Sequence, residues 1–240
     1  MWYNCHMPVY NLQFPDYDET GFLIKFGHKE HLEHIINGNV RFTSLQTYQK
    51  IENPNIGDNN EGVRTILHQD GNLKITYSNP IFEGGREIDF SSNITSFKDF
   101  PDNNKYISCF SYLTQKSIIE NDIVSKVLLS EPEWNDVLLI LDTTGFITDL
   151  MKILSPYSLR YGRVKYLDYS ENQMDLNEFT KSKKYEHQKE QRFSIVYNNQ
   201  IDSKIRIINS EILEVDLGKT YLGDIIPITE FTKCFTINKN

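Results

Sequence analysis

Along the chain, hydrophobic positions switch repeatedly between a spacing of two and a spacing near three and a half. Phe22-Leu-Ile-Lys-Phe26 is a short β-prone run ended by Gly27, and the apolar residues Leu32, Ile35 and Ile36 that follow fall at helical spacing. Gly38 stands where a left-handed C-cap closes such a helix. Val40-Arg-Phe-Thr-Ser44 alternates again, so the chain begins strand, helix, strand after an irregular N-terminal segment, residues 1–20. Asn, Pro, Gly and Asp crowd the stretch from Ile51 to Glu61, which reads as an exposed loop. Val63 to Leu67 and Leu73 to Tyr77 flank Asp70-Gly71, a dipeptide that favours the positive φ angles of a tight hairpin.

Tyr106-Ile-Ser-Cys-Phe-Ser111 follows a polar, turn-rich stretch and predicts a strand, and Ile118, Ile119, Ile123, Val124, Val127 and Leu128 predict a helix. Val137 to Leu141 is a continuous apolar run, short enough for a strand buried on both faces. Asp142 or Thr143 caps the next helix, whose apolar face is Phe146, Ile147, Leu150, Met151 and Leu154, and Pro156 stops it. Val164 to Asp168 predicts a strand, Asp175 to Lys184 a polar helical connector, and Arg192 to Tyr197, Ile205 to Ile208 and Ile212 to Leu217 further strands. Strands mixed with three or four helices, without regular βαβ alternation, indicate an α+β fold with a mixed, mainly antiparallel β core, read as a single domain over residues 1–240. The expected core includes Leu23, Ile35, Ile107, Phe110, Leu139, Ile140, Phe146, Leu150, Phe193 and Ile195, with Phe22–Phe26, Tyr106–Ser111 and Arg192–Tyr197 adjacent.

Composition narrows the function classes. At 39% hydrophobic and 24% charged, with 12 Gly and 8 Pro, the chain is globular rather than fibrous or low-complexity. No apolar run approaches the ~20 residues that span a bilayer, and Met1-Trp-Tyr-Asn4 starts no signal-peptide pattern, so no membrane partner and a cytoplasmic location are expected. Cys5, Cys109 and Cys234 are scattered and odd in number, which encodes neither a disulfide framework nor a CxxC metal site. A formal net charge of −8 argues against a broad DNA-binding face. Walker, GxGxxG, HExxH, GxSxG and kinase motifs are absent.

Three constellations carry candidate chemistry. His28, His31 and His34 recur every three residues, but each such step turns a helix by about 300°, and interleaved Lys29, Glu30 and Glu33 make this a solvated face, with no metal expected. Lys181, Lys183, Lys184 and Lys189, with Tyr185 among them, form the densest basic stretch; it reads first as a solvated connector and second as a local RNA-binding patch. Gln188 and Glu190 stand two apart at the entrance to an apolar strand, so that on a strand both side chains share one face. A carboxylate held there suits an oxocarbenium-like sugar, because it can accept a ribose hydroxyl and face the developing cation. The competing reading is a polar strand entrance with Glu190 and Arg192 paired on an exposed face.

Phe26-Gly-His-Lys-Glu-His-Leu-Glu-His-Ile-Ile-Asn-Gly-Asn-Val-Arg-Phe-Thr-Ser-Leu45, Ile107-Ser-Cys-Phe-Ser111 and Tyr185-Glu-His-Gln-Lys-Glu-Gln-Arg-Phe193 together resemble the bacterial AbiGi-like abortive-infection proteins and related domains of unknown function. The layout is also similar to ADP-ribosyltransferases, in which a first strand and helix precede a serine-centred strand and then a strand bearing Gln-x-Glu or Glu-x-Glu. That resemblance implies an ADP-ribosyltransferase-like fold and NAD as substrate, with Glu190 matching the catalytic glutamate and Gln188 the acceptor-side residue. It further implies that Ser108 or Ser111 supports the glutamate and the nicotinamide ribose, that Tyr112 is a stacking platform, and that Lys25 or His28 replaces the first-strand Arg or His. The expected function is a phage-defence or toxin-type effector that transfers ADP-ribose to RNA or protein; the alternative is a non-catalytic abortive-infection or antitoxin-like module that binds a protein or RNA partner, such as a cognate defence-system protein. The chain departs from the transferase pattern in lacking an Arg on the first strand, a Ser-Thr-Ser triplet and glycine-rich surroundings for nicotinamide.

Overall fold

The computed structural model describes residues 21–51, 58, 62–63, 65–67, 73–77, 86–90, 97–99, 104–114, 134–169, 176–198 and 202–231. Strand β1 (Gly21–Gly27) leads into α1 (Lys29–Ile36), then β2 (Asn39–Ser44) and the short α2 (Leu45–Gln49). Gly38 closes α1 at φ +83, and a Cβ there would stand 2.3 Å from the Lys219 carbonyl oxygen, so both backbone angle and space require glycine. Ser44 accepts from the Thr47 backbone N–H and caps α2.

The next strands, β3 (Thr65–Leu67), β4 (Leu73–Tyr77), β5 (Arg86–Phe90) and β6 (Phe97–Asp99), correct the expected hairpin. β3 pairs with β6 and β4 with β5, so the segments flanking Asp70-Gly71 do not pair with each other. A turn dipeptide sets a local chain reversal but not which strand each arm bonds to, and here each arm finds a partner further along the chain. The helix predicted around residues 118–128 and the segment 1–20 lie outside the described residues, as does most of the loop from Ile51 to Glu61. Asp58 of that loop is buried, not exposed, and its carboxylate accepts from the Ser182 N–H.

The remaining elements are β7 (Lys105–Thr114), β8 (Asp136–Ile140), α3 (Thr143–Leu154), β9 (Arg160–Arg163), β10 (Lys165–Leu167), β11 (Thr180–Ser182), a 3-10 turn over Lys183–Gln188, then β12 (Glu190–Val196), β13 (Ile205–Asn209), β14 (Ile212–Asp216) and β15 (Gly223–Pro227). Asp142 caps α3 through the Gly145 N–H, and a 3-10 turn containing Pro156 follows it. Within the connector expected to be helical from Asp175 to Lys184, of which Asp175 lies outside the described residues, Thr180–Ser182 is instead strand β11, parallel to β10, and the 3-10 turn follows. β12 begins only at Glu190, after Lys189 in the left-handed region at φ 45.

Among the described residues the main sheet has nine strands, all antiparallel, on the path β13-β14-β2-β7-β1-β8-β15, with β12 and then β9 attached to β7. This is the expected α+β class. β12 runs along one edge of β7 from Glu190↔Ser111 to Val196↔Lys105. The opposite edge is shared: β2 pairs at Ile107 and Tyr106, and β1 from Ser111 to Thr114. β1 and β2 therefore diverge from β7, leaving Ser108, Cys109 and Phe110 in a fork, with α1 bridging its two arms.

On one sheet face Phe146 of α3 makes edge contacts with Phe110 of β7 and Phe193 of β12, at centroid distances of 5.6 and 6.4 Å. Each such ring pair adds roughly 0.5–1.5 kcal/mol beyond area burial, which ties β7 and β12 beneath one helix. All ten expected core residues are buried, and the three strands expected to be adjacent are β1, β7 and β12, bonded in that order.

Candidate functional site in the sheet fork

The register places Ile24, Ser111 and Glu190 in one row across β1, β7 and β12. Alternation then puts Ile24, Phe26, Cys109, Ser111, Glu190 and Arg192 on the face opposite Phe110 and Phe193. On that face, α2, β11 and the 3-10 turn enclose a cavity of about 210 Å³, lined among others by Lys25, Tyr48, Ser111, Lys181, Gln188 and Glu190.

Glu190 is 7% exposed. Its Oε1 accepts from Lys181 Nζ at 2.8 Å, and its Oε2 from Arg192 Nε at 2.7 Å with Nη2 at 2.5 Å. Burial pushes the carboxyl pKa up, but Arg192 and then Lys181 outweigh it and hold the group at about 2, so Glu190 is ionised at neutral pH. Lys181 also donates to Gln188 Oε1 at 2.6 Å, and its ammonium lies 4.9 Å from the Tyr185 ring centre. Ser111 Oγ donates to the Gln188 carbonyl at 2.7 Å, and the Glu190 N–H donates to Tyr166 Oη at 2.9 Å. Burial first, and the Glu190 charge second, raise the Tyr166 pKa, keeping that hydroxyl neutral. Behind Arg192, the Glu178 carbonyl accepts from Nη1 at 2.6 Å, while the Glu178 carboxylate holds Lys105 and Arg160, each at 2.8 Å.

In the fork itself, Lys25 Nζ donates to the Cys109 carbonyl and lies 5.2 Å from the Phe110 ring centre. Burial lowers its pKa, against the opposing pull of Cys109 and Glu190. Lys25, Phe26, Tyr48 and Trp134 also line a second cavity of about 270 Å³, which reaches His28, His31, Arg41 and Ser108. Lys25 thus stands at the waist of a two-lobed cleft.

The structure brings Lys25, Ser111, Gln188 and Glu190 to the first lobe, and Lys25, His28 and Ser108 to the second. Tyr112 goes elsewhere: β7 alternation turns it to the opposite sheet face, where the Arg163 guanidinium stacks 4.4 Å from its ring centre. Gln188 reaches the cavity from the 3-10 turn, not from the strand. The Glu190–Arg192 pair exists but is buried, with Arg192 at 0% exposure. Lys181 is likewise buried, so only Lys183 and Lys184 of that stretch stand in solvent. Lys181 shows in the sequence only as part of the basic stretch; on β11 it is buried, as are Tyr185 and Gln188 of the following 3-10 turn. His28, His31 and His34 are exposed, and among the described residues no group of three or more His, Cys, Asp or Glu could hold a metal ion.

The chain matches no family model, no curated protein and no solved structure. Among the described residues no helix is long and apolar enough to cross a membrane.

Proposed function

We propose that the chain is an NAD-dependent ADP-ribosyltransferase acting on a macromolecule, RNA or protein, in the phage-defence setting that the AbiGi-like resemblance implies. The observation that carries this reading is the buried, ionised Glu190 at a cavity it shares with Lys25, Ser111 and Gln188. A carboxylate has about four acceptor positions. Lys181 and Arg192 occupy three of them, leaving one on Oε1 for a ribose hydroxyl. The two cations fix the carboxylate plane, so Glu190 meets the developing ribosyl cation without reorganising. As the bond from ribose to nicotinamide breaks, its electron pair leaves with neutral nicotinamide, and the acceptor nucleophile adds to the ribose carbon and sheds its proton. Ser111 holds the Gln188 backbone, which aims that amide at the acceptor. Lys25, Lys181 and Arg192 outnumber Glu190 in charge and suit a pyrophosphate, while Phe26, Tyr48 and Trp134 supply aromatic walls.

A second reading, a non-catalytic module that binds a protein or RNA partner, is favoured by the extent to which Glu190 is already engaged by cations. It implies a flat surface at Gln188 and Glu190, whereas both line a cavity. The deciding assay incubates labelled NAD with cell extract and follows label transfer and nicotinamide release. Glu190→Gln should lower turnover about 100- to 1,000-fold with NAD affinity little changed, and Gln188→Ala should weaken transfer more than NAD hydrolysis. Neither product, together with no calorimetric NAD binding by the folded protein, favours the binding module.

A further inference from the structure

The second lobe of the cleft has a chemistry of its own. Its lining includes Arg41, His28, His31, Lys25, Thr43 and Ser108. On its border with the first lobe, the half-buried Trp134 indole stacks on Phe26, with centroids 5.4 Å apart and planes 22° from parallel. Cationic donors beside an aromatic wall are the complement of a phosphate next to a base. Among the described residues, the acidic groups acting on this region are Glu30, Glu214 and, through Lys25 and Tyr48, Glu190. Glu30 lies on the exposed side of α1, and Glu214, 3.8 Å from Arg41 Nε, already shares its charge with Arg206 and His34. Burial lowers the His31 pKa, and Arg41, His28 and His34 add to the lowering, against Glu30.

We infer that the lobe bounded by Arg41, His31 and Trp134 is a nucleoside-phosphate subsite, distinct from the Glu190 cavity and joined to it at Lys25. The inference does not depend on ribosyl transfer, since it concerns only binding in the lobe that Glu190 does not line. The phosphate can belong to a free nucleotide such as NAD or to the end of an oligonucleotide, and the same cationic wall serves both.

The test is binding of ADP, NAD and a 5′-phosphorylated oligoribonucleotide to the full chain by calorimetry, with the His31 imidazole followed by NMR. ADP should bind, raise the apparent His31 pKa, and weaken about ten- to a hundredfold on Arg41→Ala. Glu214→Gln, which removes the acidic neighbour of Arg41, should tighten ADP binding, a change that a folding defect cannot imitate. Competition between ADP and NAD assigns the lobe to the free nucleotide; oligonucleotide binding that NAD does not displace assigns it to a nucleic-acid end. Binding unaltered by both Arg41→Ala and Glu214→Gln overturns the location. No binding of any of the three probes at millimolar concentration by folded protein overturns the subsite. Loss of NAD turnover in Glu190→Gln with ADP affinity within about twofold of the wild type keeps this inference separate from the ribosyl reading.

Discussion

Glu190 and Glu214 are both buried carboxylates on strands of the same sheet, each facing more than one cation, and they differ in where those cations sit. The partners of Glu190 are buried with it, Lys181 and Arg192 having side chains 2% and 1% exposed. Those of Glu214 reach in from solvent: Arg206, His34 and Arg41 are 67%, 48% and 42% exposed. Both oxygens of Glu190 accept hydrogen bonds, whereas Oε2 of Glu214 has no hydrogen-bond partner among the described residues. A buried charge whose counter-charges are also buried is held in one geometry and shielded from salt; one whose counter-charges are wet is neutralised loosely. The first arrangement is the one the proposed chemistry needs; the second links β13, β14 and β2.

The largest expected effect follows from that contrast. Glu190→Gln leaves the Lys181 and Arg192 cations buried beside a neutral amide, and breaking a buried pair from one side costs about 3–5 kcal/mol. Urea unfolding should show this as a lower midpoint with an unchanged slope. Adding Lys181→Met removes one orphaned cation and should recover part of the loss without restoring turnover, which separates the carboxylate's chemical role from its structural one. A cost below about 1 kcal/mol for the single variant would mean that the two glutamates do not differ in kind.

Acid sharpens the same point. The folded-state pKa of Glu190, about 2, lies below the ordinary 4.5, so its stabilisation is present above pH 4.5 and lost as pH falls through 2. The difference in unfolding free energy between wild type and Glu190→Gln should hold steady above pH 4.5, shrink below it, and vanish near pH 2. A difference that persists at pH 2 would assign the effect to packing rather than to charge.

Much of this architecture could be read from periodicity. β1, α1, β2, β7, α3 and β12 each bury a repeating apolar face, and that repeat marks them without knowledge of their partners. What periodicity cannot carry is pairing: β4 bonds to β5 and β3 to β6, and the spacing within each strand names no partner. Site residues divide the same way. Glu190 and Gln188 stood out through their spacing beside an apolar strand. Lys181 did not, because in sequence a lysine among lysines looks solvated, and only the 3-10 turn that buries Tyr185 and Gln188 pulls its ammonium inside. Tyr112 shows the converse error: adjacency to Ser111 in the chain means opposite faces on a strand.

The smallest expected effect belongs to Glu214, and salt reveals it. Exposed ion pairs contribute about 0.2–1 kcal/mol, and screening over a Debye length of about 10 Å at 0.1 M contracts to about 3 Å at 1 M. The Arg41 contact spans 3.8 Å with solvent on the cation side, so high salt reaches it. Removing the carboxylate in Glu214→Gln strands no buried cation, because Arg206, Arg41 and His34 simply rehydrate. The variant should therefore lose no more than about 1 kcal/mol at low salt and less at 1 M, whereas the Glu190→Gln loss should hardly change between the two conditions. Urea titrations of both variants at low and high salt make the comparison directly. If Glu214→Gln proved as costly and as indifferent to salt as Glu190→Gln, burial of the carboxylate itself would be what matters, and the exposure of its partners would carry no weight.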